Sequence, residues 1–117
     1  MTRKEDKELL ALWAKIIKNG GKCEYCGKTS YLNAHHFYSR ADRKLRYNIN
    51  NGFCLCSGCH VLSSKFSAHL TPADFVDWAV KYRGNKWLKN LRTIHWDTSG
   101  YKQTYEQVLT KLEKYDT

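Results

Sequence analysis

Two matched cysteine pairs constrain this chain more than any other feature of its sequence. The pairs are Cys23-x-x-Cys26 and Cys56-x-x-Cys59. Each spacing places two thiolates on one tight turn, so four sulfurs can surround one zinc ion tetrahedrally at about 2.3 Å. The segment between the pairs is longer than in an ordinary zinc ribbon, which indicates an insertion between the two halves. We therefore expect a structural Zn²⁺ site that stabilises a hairpin too small to fold alone.

Other roles for the cysteines are weaker. Two disulfides are disfavoured inside a cell, and four free thiols at two equal spacings would be a coincidence. The fifth cysteine, Cys54, could replace Cys56 in the metal site. The spacing to Cys59 favours Cys56, however, and leaves Cys54 as a small core residue.

Charge indicates a polyanionic partner without proving one. The 117 residues contain 20 Lys and Arg against 11 Asp and Glu, a formal net charge of +9. The excess could serve solubility alone, or it could neutralise the phosphates of a nucleic acid. No apolar run approaches the roughly 20 residues that a membrane span needs, and the charged N-terminus is unlike a signal peptide. We expect an intracellular protein without a membrane partner.

The chain length and the pattern of apolar residues predict one domain over residues 1–117, in three parts. An amphipathic helix over residues 4–18 ends at a run of glycines. A metal-binding core over 22–68 has short strands near Tyr31–His35 and Phe53–Leu55 and a helix that begins around Ser57. A helical part over 71–115 has a helix that Thr71 caps, that begins at Pro72 and that Gly84 ends. Two further helices cover Asn85–Ile94 and Tyr101–Lys114. The predicted fold class is α+β, mostly helical.

Three histidines and one asparagine fall where the chain folds back on the cysteine pairs. His35 and His36 are adjacent at the end of the first predicted strand, Asn51 precedes the second, and His60 directly follows Cys59. Because the metal fixes the position of His60, folding of the insertion can bring the other two histidines close. Adjacent residues alternate along a strand. We therefore expect the strand to end before His36.

These residues resemble the HNH (ββα-metal) endonuclease motif in its four-cysteine zinc form, over about residues 22–66. The segments that carry the resemblance are Cys23-Glu-Tyr-Cys26, Asn33-Ala-His35-His36, Leu45-Arg46 and Asn51-Gly-Phe-Cys-Leu-Cys56-Ser-Gly-Cys59-His60. The resemblance implies that His35 and His60 bind a catalytic divalent ion and that His36 is the general base. It also implies that Asn51 braces the turn and orients the base.

The chemistry of phosphodiester hydrolysis suits these residue types. An imidazole with a near-neutral pKa can take a proton from the attacking water. A divalent cation, here Mg²⁺, Mn²⁺, Ni²⁺ or Zn²⁺, can stabilise the leaving oxygen. Because two imidazole ligands are softer than a carboxylate and an imidazole, we expect manganese, nickel or cobalt to serve at least as well as magnesium.

The sequence departs from the commonest form of the motif in two places. No proline follows the histidine pair, and Ser64 occupies the position four residues after His60 where some relatives have a third metal ligand. His69 is a distant candidate for that ligand. The roles of Cys54 and His95 stay open.

The basic segment between the two predicted strands is a candidate contact surface for DNA. It contains Arg40, Arg43, Lys44 and Arg46. A charge run is often only a solvated loop. If it contacts phosphates, it carries no sequence information, so we expect weak sequence preference and steep salt dependence.

A fainter resemblance extends to the phage recombination nucleases of the NinG (Rap) group. It rests on His36-Phe-Tyr-Ser-Arg40, Leu45-Arg46-Tyr47 and Tyr82-Arg-Gly84. That group typically has asparagine where this chain has His60. The resemblance implies a phage-encoded enzyme in the cytoplasm of a bacterial host. The alternatives are a non-catalytic zinc-ribbon module that binds nucleic acid and a protein-interaction domain.

Overall fold

A two-stranded antiparallel hairpin lies at the centre of the fold. In this computed structural model, which describes residues 1–100 and 102–116, β1 (Leu32–His36) pairs with β2 (Gly52–Cys56). A 3₁₀ turn at Ile49–Asn51 leads into β2, and a π-helical turn at Gly58–Leu62 follows it. The order strand, strand, helix is that of a ββα-metal core.

Helices surround the hairpin. They are α1 (Arg3–Ile17), α2 (Pro72–Arg83), α3 (Asn85–His95) and α4 (Tyr105–Glu113). α1 packs against α4 and against both strands, whereas α2 packs against α3. This architecture confirms the predicted α+β, mostly helical fold class. Within the described part of the chain, none of the helices combines the length and the apolar character that crossing a membrane requires.

Capping residues set the start of two helices. Thr2 and Glu5 form a capping box at α1, and Thr104 and Gln107 form another at α4. In each box the threonine oxygen accepts a backbone N–H of the first turn, which would otherwise lack a partner. The expected start of the last helix at Tyr101 lies outside the described residues, and the cap at Thr104 places the first residue of α4 at Tyr105.

The start of α2 differs in detail from the prediction. Pro72 stands in the first turn, as expected, but the side chain of Thr71 does not cap the helix. Its hydroxyl instead donates to the carbonyl of Ser67 and accepts the Ser67 N–H. Thr71 therefore closes the turn that precedes α2. Gly84 ends the helix with φ 95°, a left-handed angle that suits glycine.

Two buried clusters lie on opposite sides of the hairpin. One contains Phe53 and Leu55 of β2 with Phe75 and Ala79 of α2. The other joins α1 to α4; its buried members are Leu9, Trp13, Val108 and Leu112. The hairpin is thus held from both sides.

The side chains of α2 and α3 also bind the start of β2. Arg83 donates to the carbonyls of Asn50 (3.0 Å) and Gly52 (2.6 Å), and the Trp87 indole donates to the Asn50 carbonyl at 2.7 Å. The Arg83 guanidinium lies 3.7 Å from the centre of the Phe53 ring. These contacts fix the backbone on both sides of Asn51.

Candidate metal centres and nucleic-acid interface

The four predicted cysteine ligands form one cluster. The Sγ atoms of Cys23, Cys26, Cys56 and Cys59 all lie within 4.8 Å of one another. The Cys26 and Cys56 sulfurs are 3.6 Å apart. Tetrahedral zinc with bonds of about 2.3 Å separates its sulfur ligands by about 3.8 Å. The four sulfurs therefore fit a tetrahedral metal ion.

The pKa values of these thiols also favour a bound cation. Burial, and hydrogen bonds among the sulfurs, raise the pKa of the Cys59 thiol. Although burial opposes ionisation, backbone hydrogen bonds from Cys26 and Cys56 lower the pKa of Cys23 to about 7. One thiolate is thus readily formed, whereas further thiolates beside it are disfavoured. A bound divalent cation removes that repulsion.

Cys54 lies outside the cluster. Its thiol is buried, and burial raises its pKa to about 11. Its backbone N–H donates to the Glu24 carboxylate at 2.6 Å. The alternative in which Cys54 replaces Cys56 is therefore not supported, and Cys54 is a small buried residue of β2.

A second cluster contains three histidines. His35 lies on β1, His60 on the π-helical turn and His69 in the turn that precedes α2. Their ligand nitrogens all lie within 4.8 Å of one another, and the Nε2 atoms of His60 and His69 are 3.2 Å apart. Nitrogen ligands at about 2.0–2.1 Å from a tetrahedral ion are separated by about 3.3 Å. The three imidazoles therefore fit a common metal ion.

His69 reaches the cluster because the chain reverses after the π-helical turn. The Ala68 N–H donates to the Cys59 carbonyl at 2.8 Å, and the His69 N–H donates to the His60 carbonyl at 3.0 Å. These bonds lay His69 beside His60. Ser64, at the position expected for a third ligand, is exposed. The only sequence signal for this reversal was the helix start at Thr71-Pro72, which requires a turn just before it.

Burial and the neighbouring imidazoles keep the imidazole of His35 neutral. Burial, followed by the nearby His60 and His69, lowers the pKa of His35 to about 3. Burial also lowers the pKa of His60. A neutral imidazole has the free nitrogen lone pair that a metal requires. His35 and His60 therefore offer this lone pair at neutral pH.

His36 points away from the histidine cluster. β1 continues through His36, which pairs with Gly52, so the expectation that the strand ends before it is wrong. Its ring stacks on Trp13 of α1 at 3.9 Å, and its Nε2 lies 2.9 Å from the Arg46 carbonyl oxygen. Because a carbonyl only accepts, Nε2 carries the proton and Nδ1 keeps its lone pair.

Asn51 is fully buried and braces the loop between the strands. Its Oδ1 accepts the Tyr38 N–H at 2.7 Å, and its Nδ2 donates to the carbonyls of Tyr38 (2.9 Å) and Leu45 (3.1 Å). Both ends of the loop are thus tied to one side chain. The Leu45 carbonyl directly precedes the Arg46 peptide that binds His36.

The four basic residues of this loop have different surroundings. Arg40 and Arg43 are exposed. Lys44 donates to the carbonyls of His95 and Asp97, both at 2.7 Å. The Arg46 guanidinium donates to both carboxylate oxygens of Asp6 in α1, at 2.9 and 2.6 Å. The cations of Lys44 and Arg46 therefore hold the fold together, which leaves Arg40 and Arg43 as the exposed cations of the predicted surface.

Comparison with known proteins gives one positive result. A model of the HNH endonuclease family matches residues 23–66. The match indicates a nuclease or a nucleic-acid-binding role; it includes both cysteine pairs, His35, His36, Asn51 and His60, and it ends before His69. No curated protein and no solved structure matched.

Proposed function

We propose that this chain is a metal-dependent DNA endonuclease that hydrolyses phosphodiester bonds with one catalytic metal ion. The observation that carries the proposal is the pairing of two features on one hairpin. On one face, His35, His60 and His69 converge; on the other, His36 has its Nε2 proton fixed by a backbone carbonyl. A module that only bound nucleic acid would need neither feature.

His36 is the proposed general base. The Arg46 carbonyl holds the proton on Nε2, so Nδ1 is free to accept a proton from the attacking water. Stacking on Trp13 fixes the plane of the ring. Asn51 has an indirect role, because it holds the loop whose carbonyl orients His36.

His35, His60 and His69 are the proposed ligands of the catalytic ion. A divalent cation supplies Lewis-acid stabilisation of the charge that develops on the phosphate and on the leaving oxygen. Because the donor set is all nitrogen, it favours Mn²⁺, Ni²⁺, Co²⁺ or Zn²⁺ over the oxygen-seeking Mg²⁺. We assign a structural Zn²⁺ to the cysteine cluster Cys23, Cys26, Cys56 and Cys59 on the basis of its four sulfurs.

DNA is the proposed substrate because the chain carries a net charge of +9 and exposes Arg40 and Arg43 in the loop that holds His36. Contacts with phosphates predict weak sequence preference and steep salt dependence. The family resemblance adds 5′-phosphate and 3′-hydroxyl products. It also adds a phage context of recombination, packaging or DNA processing.

Plasmid nicking tests the proposal. We expect the zinc-loaded protein to nick plasmid DNA when manganese, nickel or cobalt is added. A His36→Gln variant keeps an N–H donor for the Arg46 carbonyl but has no basic nitrogen, so it should bind zinc and DNA normally and lose at least two orders of magnitude in nicking rate.

Two outcomes would contradict the proposal. One is equal nicking by wild type and His36→Gln. The other is a wild-type protein that is folded, zinc-loaded and bound to DNA, yet inactive with each of Mg²⁺, Mn²⁺, Ni²⁺, Co²⁺ and Zn²⁺. The second outcome would favour the alternative, a non-catalytic zinc module that binds nucleic acid.

A further inference from the structure

Trp96 is far more exposed than the other tryptophans of the chain. Its exposed fraction is 73%, against 1% for Trp13. Trp78 and Trp87 pack against the larger buried cluster. Scattered exposed apolar residues are ordinary. An exposed indole is more informative when the surrounding structure holds it rigidly.

The backbone on both sides of Trp96 is anchored. Trp96 is the C-cap residue of α3, and its N–H donates to the Arg92 carbonyl at 2.9 Å. The Lys44 ammonium donates to the carbonyls of His95 and Asp97, the two residues that flank Trp96. The fold thus fixes the backbone that carries the indole while it leaves the ring in solvent.

The ring of the neighbouring His95 is held in place beside the indole. Its Nδ1 lies 2.6 Å from the Asp42 carboxylate, and its ring stacks on Tyr38 at 4.4 Å. The His95 and Trp96 rings meet edge to face at 4.9 Å. Tyr38 in turn donates its N–H to Asn51. The rings of Tyr38, His95 and Trp96 therefore form a continuous series of contacts that begins next to Asn51 and ends at Trp96.

Cations lie beside this exposed ring. A cleft of about 420 Å³ is lined by Trp96, His95, Arg43, Lys44 and Asp97, among others. The Asp97 carboxylate accepts the Ser99 N–H at 2.9 Å. Arg43 is exposed, and Arg92, one helical turn before Trp96, is exposed as well. An aromatic face next to a free guanidinium is complementary to a nucleotide, which presents a flat base and an anionic phosphate.

We propose that the C-terminal end of α3 binds an unpaired nucleotide of single-stranded DNA, with the base stacked on Trp96 and its phosphate contacted by Arg43. The inference rests on the proposed function in one respect, since it takes DNA as the partner. In a duplex, neighbouring base pairs cover both faces of each base, so only an unpaired or terminal base can stack on the indole. The charged surroundings of the ring disfavour an apolar protein partner.

Binding of three DNA probes to the zinc-loaded protein, without added second metal, tests the inference. The probes are a blunt duplex, the same duplex with a short single-stranded thymidine overhang, and that overhang made abasic. The abasic overhang has the same phosphates but no base to stack. We expect wild type to bind the thymidine overhang on the order of tenfold more tightly than the abasic one.

Variants assign this difference to particular side chains. Trp96→Ala should bind both overhangs alike, at the affinity of the abasic probe, and Trp96→Phe should restore part of the preference. Arg43→Gln should weaken binding of both overhangs. Tyr31→Ala is the matched control, because Tyr31 is 76% exposed yet lies outside this cleft, and it should keep the wild-type preference.

The possible failures are distinguishable. A Trp96→Ala variant that keeps the preference for the thymidine overhang overturns the inference and leaves the endonuclease proposal intact. Loss of self-association in Trp96→Ala, with an unchanged preference, assigns the indole to a protein contact and also overturns it. A wild-type protein that binds none of the probes overturns the proposed DNA substrate together with the inference.

Discussion

At the scale of residues, His36 and Asn51 depend on neighbouring peptide groups of one loop. Asn51 holds the Leu45 carbonyl at 3.1 Å, and the Arg46 carbonyl holds His36 at 2.9 Å. The backbone therefore determines which nitrogen of His36 keeps its lone pair, and this is the nitrogen that the proposed base would use. A substitution that shifts this loop should disturb the base without touching it.

His69, the third member of the histidine cluster, gives a prediction at the same scale. We expect His69→Ala to weaken binding of the exchangeable ion at least tenfold, because one of three ligands is lost. The cysteine-bound zinc should stay in place. Cobalt titration, followed by its absorption spectrum, measures the first effect, and metal analysis of the purified protein measures the second.

Ser64→Ala is the control for this experiment, since Ser64 occupies the position expected for a third ligand but is exposed. It should bind cobalt as wild type does. If His69→Ala bound cobalt normally and Ser64→Ala did not, the ligand assignment would be wrong.

At the scale of elements, the contact between α1 and the hairpin positions His36. α1 supplies Trp13, on which His36 stacks, and Asp6, which binds Arg46. The approach of α1 to β2 is close at Gly52. A Cβ atom there would lie 2.3 Å from Ile17 Cδ1 and 2.8 Å from the Trp13 ring.

Gly52→Ala should therefore push α1 away from β2. We expect the free energy of unfolding to fall by about 1–3 kcal/mol, as overpacked sites do. Nicking should fall as well, because Trp13 and the segment next to Asn51 both shift. Denaturant unfolding measures the first effect. Gly20→Ala is the control: nothing lies within 4 Å of its added Cβ, and its stability should hardly change.

The ion pair between Asp6 and Arg46 predicts a pH dependence. The Arg46 guanidinium and, to a smaller extent, the Tyr47 hydroxyl hold the pKa of Asp6 below its ordinary value of 3.8. A carboxyl with a lowered pKa in the folded state stabilises the fold above the unfolded value. That contribution is lost as the pH falls through the folded value.

Acid should thus weaken the attachment of α1 to the loop. The stability difference between wild type and Asp6→Asn should be largest near neutral pH and should shrink below pH 3.8. Denaturant unfolding of both proteins across this range measures it, and the difference cancels other acid-sensitive groups. A difference that stays constant with pH would contradict the assignment. Asp77→Asn, in the exposed Lys81–Asp77 pair, serves as the control.

At the scale of the whole molecule, the cysteine cluster links the segment before β1 to the end of β2. Cys23 and Cys26 precede β1, whereas Cys56 ends β2 and Cys59 lies in the π-helical turn. Cys59 and His60 also accept the backbone bonds that place Ala68 and His69. The proposed zinc fixes Cys59, and the carbonyls of Cys59 and His60 in turn hold Ala68 and His69 in place.

Removal of this zinc should disrupt both the cysteine cluster and the histidine cluster. We expect a strong chelator to lower the melting temperature and to abolish nicking even after manganese is restored, because the hairpin needs the metal to fold. A weak chelator that removes only the exchangeable ion should leave the melting temperature nearly unchanged, and added manganese should restore nicking. Nicking that recovers without zinc would contradict the structural assignment.

The sequence predicted those features that depend on local spacing. The cysteine pairs, the order of strands and helices, and the fold class follow from short patterns, since a tight turn or a helix is decided by residues near in the chain. The same holds for Pro72 and Gly84 at the two ends of α2. Only the family resemblance gave the roles of His36 and Asn51, and these roles remain proposals.

The tertiary structure decided which side chains meet across long distances in the chain. His69 joins His35 and His60 through a chain reversal whose one sequence signal, the helix start at Thr71-Pro72, does not indicate which residues meet. Arg46, predicted to contact DNA, binds Asp6, which lies 40 positions earlier, and Lys44 binds carbonyls at the end of α3. Such partners are set by how helices pack on the hairpin, and packing depends on the whole fold rather than on neighbouring residues.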